Sequence, residues 1–205
     1  MDIPESIVQE AKERIQEYNV EGFVLGKGDP NAKVMIIGEA PGENEIVKDE
    51  PFIGRAGKEL DKQLEYLEVS RNHVYITSVV RSRPYKWVKR KNKDKKENRK
   101  PNQKEILAHA SLLDYQVQRI SPSLIITLGG VAYERLTGRK DKMKDVLGKP
   151  YKGPILQYDK ESDGLVQTRS SYLILPLYHP AAIFYNPRLK EDIYHSLDEV
   201  KPYLN

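Results

Sequence analysis

The sequence predicts an α/β fold, a mostly parallel sheet of four strands covered by helices on both faces. Three observations predict it. Short, continuous apolar or β-branched runs, which suit buried strands, recur at Val34–Ile37, Val74–Val80, Leu124–Leu128 and Tyr172–Leu177. Segments of helical periodicity separate them, and strands alternating with helices imply parallel pairing through crossovers. The chain has 205 residues, with no internal repeat and no linker between two cores, which fits a single domain over 1–205.

The elements follow in order. Ile7 to Tyr18 reads as a helix with Ile7, Val8, Ala11 and Ile15 on one face. Val34–Ile37 is the first strand. Gly57 to Leu67 is helical again, with Leu60, Leu64 and Leu67 at near-helical spacing, and Val74–Val80 is the second strand. Gln103 to Ile120 predicts one helix, with Pro122 just beyond its end. Leu124–Leu128 is the third strand, closed by Gly129 and Gly130, and a short helix covers Val131 to Leu136. Residues 138–170 are rich in Gly, Lys and Asp and predict a loop with a hairpin. Tyr172–Leu177 is the fourth strand, its ladder limited by Pro176. Leu189 to Tyr203 is the closing helix.

The chain contains no cysteine. Disulfides, thiolate metal sites, iron–sulfur clusters and a Cys nucleophile are therefore excluded, which fits a reducing compartment. The N-terminal MDIPESIVQEAKERIQEY is acidic and helix-like, unlike a signal peptide. No apolar run reaches the ~18 residues of a membrane span. A soluble, cytoplasmic protein without membrane contact is expected. The total charge is +4, but Lys86–Lys100 holds nine basic residues against two acidic ones, a net +7 that leaves −3 for the rest. This basic insertion, at about 85–97, reads as an exposed loop. It is either a solvated segment or an arm contacting phosphates, and Tyr85 and Trp87 at its base offer rings for stacking on bases.

In an open parallel sheet the ligand lies beyond the carboxyl ends of the strands. Those ends run into Gly38–Glu45 (GEAPGENE), into RSRP and the basic segment, into Gly129–Gly130, and into Tyr178–Ala182 (YHPAA). Gly38, Ala40 and Gly42 allow close approach to backbone, and Glu39 and Glu45 add carboxylates; the same segment also reads as a plain strand-to-helix turn. It lacks the GxxxxGK[ST] pattern of a phosphate loop. Phe52, between Pro51 and Gly54, is either core or a stacking surface. Of four histidines, His73, His109 and His195 read as structural or exposed, and no metal-ligand spacing occurs. His179 ends a strand before Pro180, where it can satisfy backbone or donate to developing negative charge.

GEAPGENE, PFIGRAGKELD, VYITSVVRSRP, NRKPNQKE, SPSLIITLGGVA and LYHPAAIFYNPRL, in that order, resemble the family 4 branch of the uracil-DNA glycosylase superfamily. The likeness spans about residues 23–137 and 172–200. It implies a three-layer α/β/α sandwich around a central four-stranded parallel sheet, matching the strand count above. It also implies a monomeric DNA glycosylase of base-excision repair, acting on single- or double-stranded DNA that contains a damaged base, uracil first. By this resemblance Phe52 stacks on a flipped base, and backbone around Gly38–Ala40 helps hold it. His179 donates to the base O2. Glu39 and Glu45 stabilise the cationic sugar or order the pocket, and Asn98 positions the water. The segment around Ala181–Pro187, Asn186 included, enters the duplex. Lys86, Lys89, Arg90, Lys91 and Arg99 are the expected phosphate contacts.

Three departures stand out. The family holds a four-iron cluster on four cysteines. Here Ala11–Glu21 has no thiol, Ser82 occupies the third position and His109 falls near the fourth, so no cofactor is expected and packing must replace the cluster. The family's base-reading Asn is Ser78, whose single hydroxyl cannot bridge two edge atoms. This predicts weaker or broader selection, extending to hypoxanthine or xanthine. The basic insertion contains no His, which argues against the covalent DNA capture seen in some superfamily members. A second functional class, a non-catalytic or weakly catalytic binder of damaged-base DNA, is favoured by Ser78; Glu39, Asn98 and His179 favour the enzyme.

Overall fold

A computed structural model describes residues 1–91 and 93–204; position 92, inside the basic insertion, and position 205 lie outside the described residues. The N-terminal amphipathic segment forms α1 (Glu5–Arg14), ending earlier than the periodicity predicts because the chain turns at Ile15. Two short strands follow, β1 (Val20–Glu21) and β2 (Lys27–Gly28). The first apolar run is β3 (Val34–Gly38), leading into α2 (Glu43–Lys48), a short helix that the apolar pattern does not announce. Next come α3 (Arg55–Tyr66) and β4 (Val74–Ser78). The basic segment forms β5 (Arg83–Val88) and β6 (Lys95–Asn98). The single helix expected over 103–120 is two, α4 (Gln103–Ala108) and α5 (Ala110–Ile120), broken at His109. Then follow β7 (Leu124–Leu128), α6 (Gly130–Thr137) and α7 (Met143–Val146). A long antiparallel pair, β8 (Tyr151–Asp159) and β9 (Gly164–Leu177), takes up most of the expected loop region. The chain closes with α8 (Ala182–Tyr185) and α9 (Leu189–Val200), and a 3₁₀ turn carries on to Tyr203.

The main sheet has the order β2-β4-β3-β7-β9-β8. Its inner four strands, β4, β3, β7 and β9, are parallel, as predicted. The expected total of four is corrected to six, because β2 and β8 add antiparallel edges. The edges escape a periodicity reading for a physical reason: β2 has two exposed residues, and β8 is only partly buried. Pro176 is tolerated beside β7 because β8 pairs no further along β9 than Ile174.

Successive strand residues face opposite sides, and this divides the core in two. Met35, Ile37, Tyr75 and Ile125 pack with Leu113 and Val117 of α5 and Leu136 of α6. Val34, Ile36, Ile76 and Ile126 pack with Leu60 and Leu64 of α3 and Ile193 and Leu197 of α9. The result is the three-layer α/β/α sandwich.

The basic insertion is corrected from an exposed loop to a β-hairpin in a second, three-stranded sheet of order β1-β5-β6. Tyr85 and Trp87 favour strand geometry. Glu21 on β1 offsets the charge by pairing with Arg83 (2.6 Å) and with Lys96.

Where the family's cluster would tie down the N-terminal segment, ordinary contacts do so. The Val24 N–H donates to the Arg81 carbonyl (2.8 Å) and the Tyr85 N–H to the Asn19 carbonyl (3.0 Å). The Phe23 ring packs on His109 (5.6 Å between centroids), and α1 lies against α4 and α5. Burial, with the Arg81 charge nearby, pushes the His109 pKa down to about 3. An unfolded His titrates near ~6.5, so between those values the unfolded chain binds the extra proton. Stability from His109 is complete above pH ~6.5 and is lost as pH falls toward 3. Urea unfolding at a series of pH values should show His109→Leu flattening that loss by roughly a few kcal/mol.

Candidate active site

The carboxyl ends of β3, β4 and β9 open onto one cavity of about 470 Å³, a size suited to a small ligand. Glu39, Phe52, Ser78, Asn98 and His179 all line it. Gly38 and Ser78 are register partners on β3 and β4, which fixes the floor.

Phe52 is buried, and its ring lies on Gly38: a Cβ there would sit 2.5 Å from the ring. Its φ of +53° is costly for a bulky residue. Arg71 holds it, donating to the Phe52 carbonyl (3.0 Å) and the Pro51 carbonyl while pairing with Asp61 (2.7 Å). Gly38 therefore serves by accommodating Phe52, since its own carbonyl accepts from the Val79 N–H (2.9 Å). Ala40 borders the cavity.

The two glutamates differ. Glu45 is buried, and its carboxylate accepts from the N–H groups of Gly42 (3.2 Å), Ile53 (3.2 Å) and Gly54 (3.0 Å). It bolts the PFIG loop to the GEAPGE turn. With its oxygens so engaged, the sequence expectation narrows to ordering the pocket. Among the described residues, Glu39 has no such ties. Burial pushes its carboxyl pKa up, and the Lys100 charge pulls it partly back.

His179 Nδ1 accepts from the Ala181 N–H (3.1 Å). That fixes Nε2 as the protonated nitrogen. Burial holds the imidazole below its ordinary pKa, partly offset by the Glu45 charge, so the ring is neutral and a donor. It lies 5.6 Å from the Phe52 ring. Ser78 is buried, and its hydroxyl donates to the Val80 carbonyl (2.7 Å). Only lone pairs remain for a ligand.

Arg83 is a site residue that the sequence reading missed. It is buried, and its Nε donates to Asn98 Oδ1 (2.6 Å) while Nη1 pairs with Glu21. This turns the Asn98 amide nitrogen toward Gly42, 3.7 Å from where a Cβ on that glycine would lie. The RSRP tetrapeptide hinted at Arg83, but nothing in one dimension links it to Glu21, 62 positions away.

The expected DNA contacts separate. Lys86, Lys89 and Lys91 are exposed. Arg90 is exposed but paired with Glu97. Arg99 is corrected: its five N–H donors go to Glu105 and to the carbonyls of Tyr85, Lys100 and Asn19, leaving none for a phosphate. Asn186 is exposed and accepts from the Arg188 N–H (3.2 Å). Beside it Tyr185, at the cavity rim, is 90% exposed. Among the described residues, no group of three or more His, Asp or Glu side chains is placed to hold a metal.

Comparisons with known proteins identify relatives over most of the chain. The profile of the Uracil DNA glycosylase superfamily matches residues 25–201. A type-4 uracil-DNA glycosylase of Saccharolobus solfataricus is 35% identical over 187 residues, covering 89% of this chain and 76% of the relative. One of Pyrobaculum aerophilum is 35% identical over 178 residues, covering 85% and 79%. One of Thermotoga maritima is 25% identical over 210 residues, covering 98% and 96%.

Proposed function

Because this chain belongs to the uracil DNA glycosylase superfamily, we propose that it is a DNA glycosylase releasing uracil by hydrolysis of the N-glycosidic bond. The fixed tautomer of His179 carries the reading. The base is flipped out and stacks on Phe52, with Ala40 at its border. As the bond breaks, its electron pair leaves with the base and negative charge grows on O2. His179 Nε2–H donates to that oxygen, and because the imidazole is neutral it keeps its proton.

Asn98, oriented by Arg83, holds a water by one lone pair through its amide N–H. The second lone pair attacks C1′ of the cationic sugar, and the water's proton passes to Glu39. A carboxyl with a raised pKa suits that transfer. Glu45 orders the pocket around these groups. Lys86, Lys89 and Lys91 meet phosphates, and Tyr185 with Asn186 enters the strand beside the vacated position. The enzyme acts as a monomer of one domain over 1–205, in the cytoplasm and without a cofactor; having no cysteine, it holds no thiolate iron–sulfur cluster. Among the described residues no helix is long and apolar enough to cross a membrane.

Ser78 sets the base range. With its proton given to Val80, it accepts from a ring N–H but donates to no carbonyl. Uracil, hypoxanthine and xanthine all offer a ring N–H beside a carbonyl, so Ser78 accepts from each of them; hypoxanthine, which has no O2 for His179, is released more slowly than uracil. Alkaline cleavage of oligonucleotides carrying each base tests this. Ser78→Asn, which adds a donor for that carbonyl, should raise the uracil release rate by roughly one to two orders of magnitude, the ~1–3 kcal/mol of one buried polar contact. Exclusive uracil excision unchanged in Ser78→Ala would contradict it.

A further inference from the structure

We propose that the β5–β6 hairpin is a stacking platform for an unpaired base next to the excised one, with Trp87 as the contact surface, so that single-stranded DNA is the preferred substrate. The proposal rests on the glycosylase reading of the pocket.

The register pairs Tyr85 with Asn98 and Trp87 with Lys96. Side chains alternate along a strand, so Arg83, Tyr85 and Trp87 share one face with Asn98 and Lys96. The face that brings Asn98 to the cavity thus runs outward to Trp87. The step is two residues, about 7 Å, on the scale of one nucleotide in an extended strand.

The indole is held while staying open. Lys96 Nζ lies 4.3 Å from the Tyr85 ring centroid and 5.4 Å from that of Trp87. The two rings meet edge to face at 6.0 Å. Glu21 pairs with both Lys96 and Arg83, so platform and Asn98 are braced by one carboxylate. Trp87 nevertheless remains 59% exposed, with the exposed Lys86 and Lys89 beside it in the chain. An open aromatic face among cations binds bases by stacking, whatever their sequence. In a duplex the neighbouring base is already stacked and paired, so only a single strand gains.

Trp87 is the only tryptophan in the chain, so emission excited beyond the tyrosine absorption band reports it alone. Titration with an undamaged single-stranded oligonucleotide should quench that emission to saturation, and the matching duplex should quench it far less. In cleavage assays Trp87→Ala should raise KM for single-stranded uracil DNA roughly 5- to 150-fold, with kcat and duplex cleavage unchanged, and Trp87→Tyr should recover much of the loss. Uracil cleavage by the natural protein without quenching by the single strand would overturn the proposal. So would a Trp87→Ala variant that loses single-strand and duplex cleavage equally. Quenching with no cleavage of any substrate would support the platform and defeat the glycosylase reading instead.

Discussion

His179→Ala is expected to lower kcat for uracil release by about 10²–10³-fold while leaving KM nearly unchanged. The base O2 carries little charge when substrate binds and much more when the bond breaks. A donor aimed at it therefore acts on the transition state more than on binding. The Ala181 N–H holds Nδ1 as acceptor, so the donor is available without a rearrangement of the ring. Burial keeps the imidazole neutral as pH falls below the usual histidine value, and His179 should therefore add no limb to the pH–rate profile near neutrality. Single-turnover rates across pH read both points.

Glu39→Gln is expected to lower kcat by about 10²–10⁴-fold. Burial raises the Glu39 pKa, so its carboxylate form is lost on acidification earlier than that of an ordinary glutamate. The natural protein should show an acid limb in kcat/KM above the usual carboxylate range, and the variant should lack it. Glu45→Gln is a useful contrast. Its carboxylate accepts three backbone N–H bonds, so the change should disturb the PFIG loop and substrate binding without removing the limb.

The parallel core was legible because β3, β4, β7 and the C-terminal end of β9 are buried and read as short apolar or β-branched runs. The rest of the main sheet was not: β2 has two exposed residues and a partner far away in sequence, and β8, though it forms a hairpin with β9, is too exposed to read as an apolar run. The basic hairpin was obscured by its charge, since Glu21, which offsets Arg83 and Lys96, lies outside the segment. Ser78, Asn98 and His179 line the cavity because each ends or follows a strand, whereas Phe52 reaches it from the loop between α2 and α3 by packing on Gly38. The division of labour among them was hidden. Glu45 and Glu39 look alike in GEAPGENE, and only backbone geometry shows that one is saturated with hydrogen bonds. Arg99 looks like another basic contact until Glu105 and three carbonyls account for its donors.

Whether this pocket breaks a glycosidic bond with His179 as donor is read by incubating the natural protein and His179→Ala with uracil-containing DNA, then quantifying free uracil and alkali-labile sites together with DNA binding. The natural protein should yield equimolar uracil and abasic sites. The variant should release uracil about 10²–10³-fold more slowly, at retained DNA affinity. Binding of uracil-containing DNA by both proteins with no free uracil from either would contradict that chemistry.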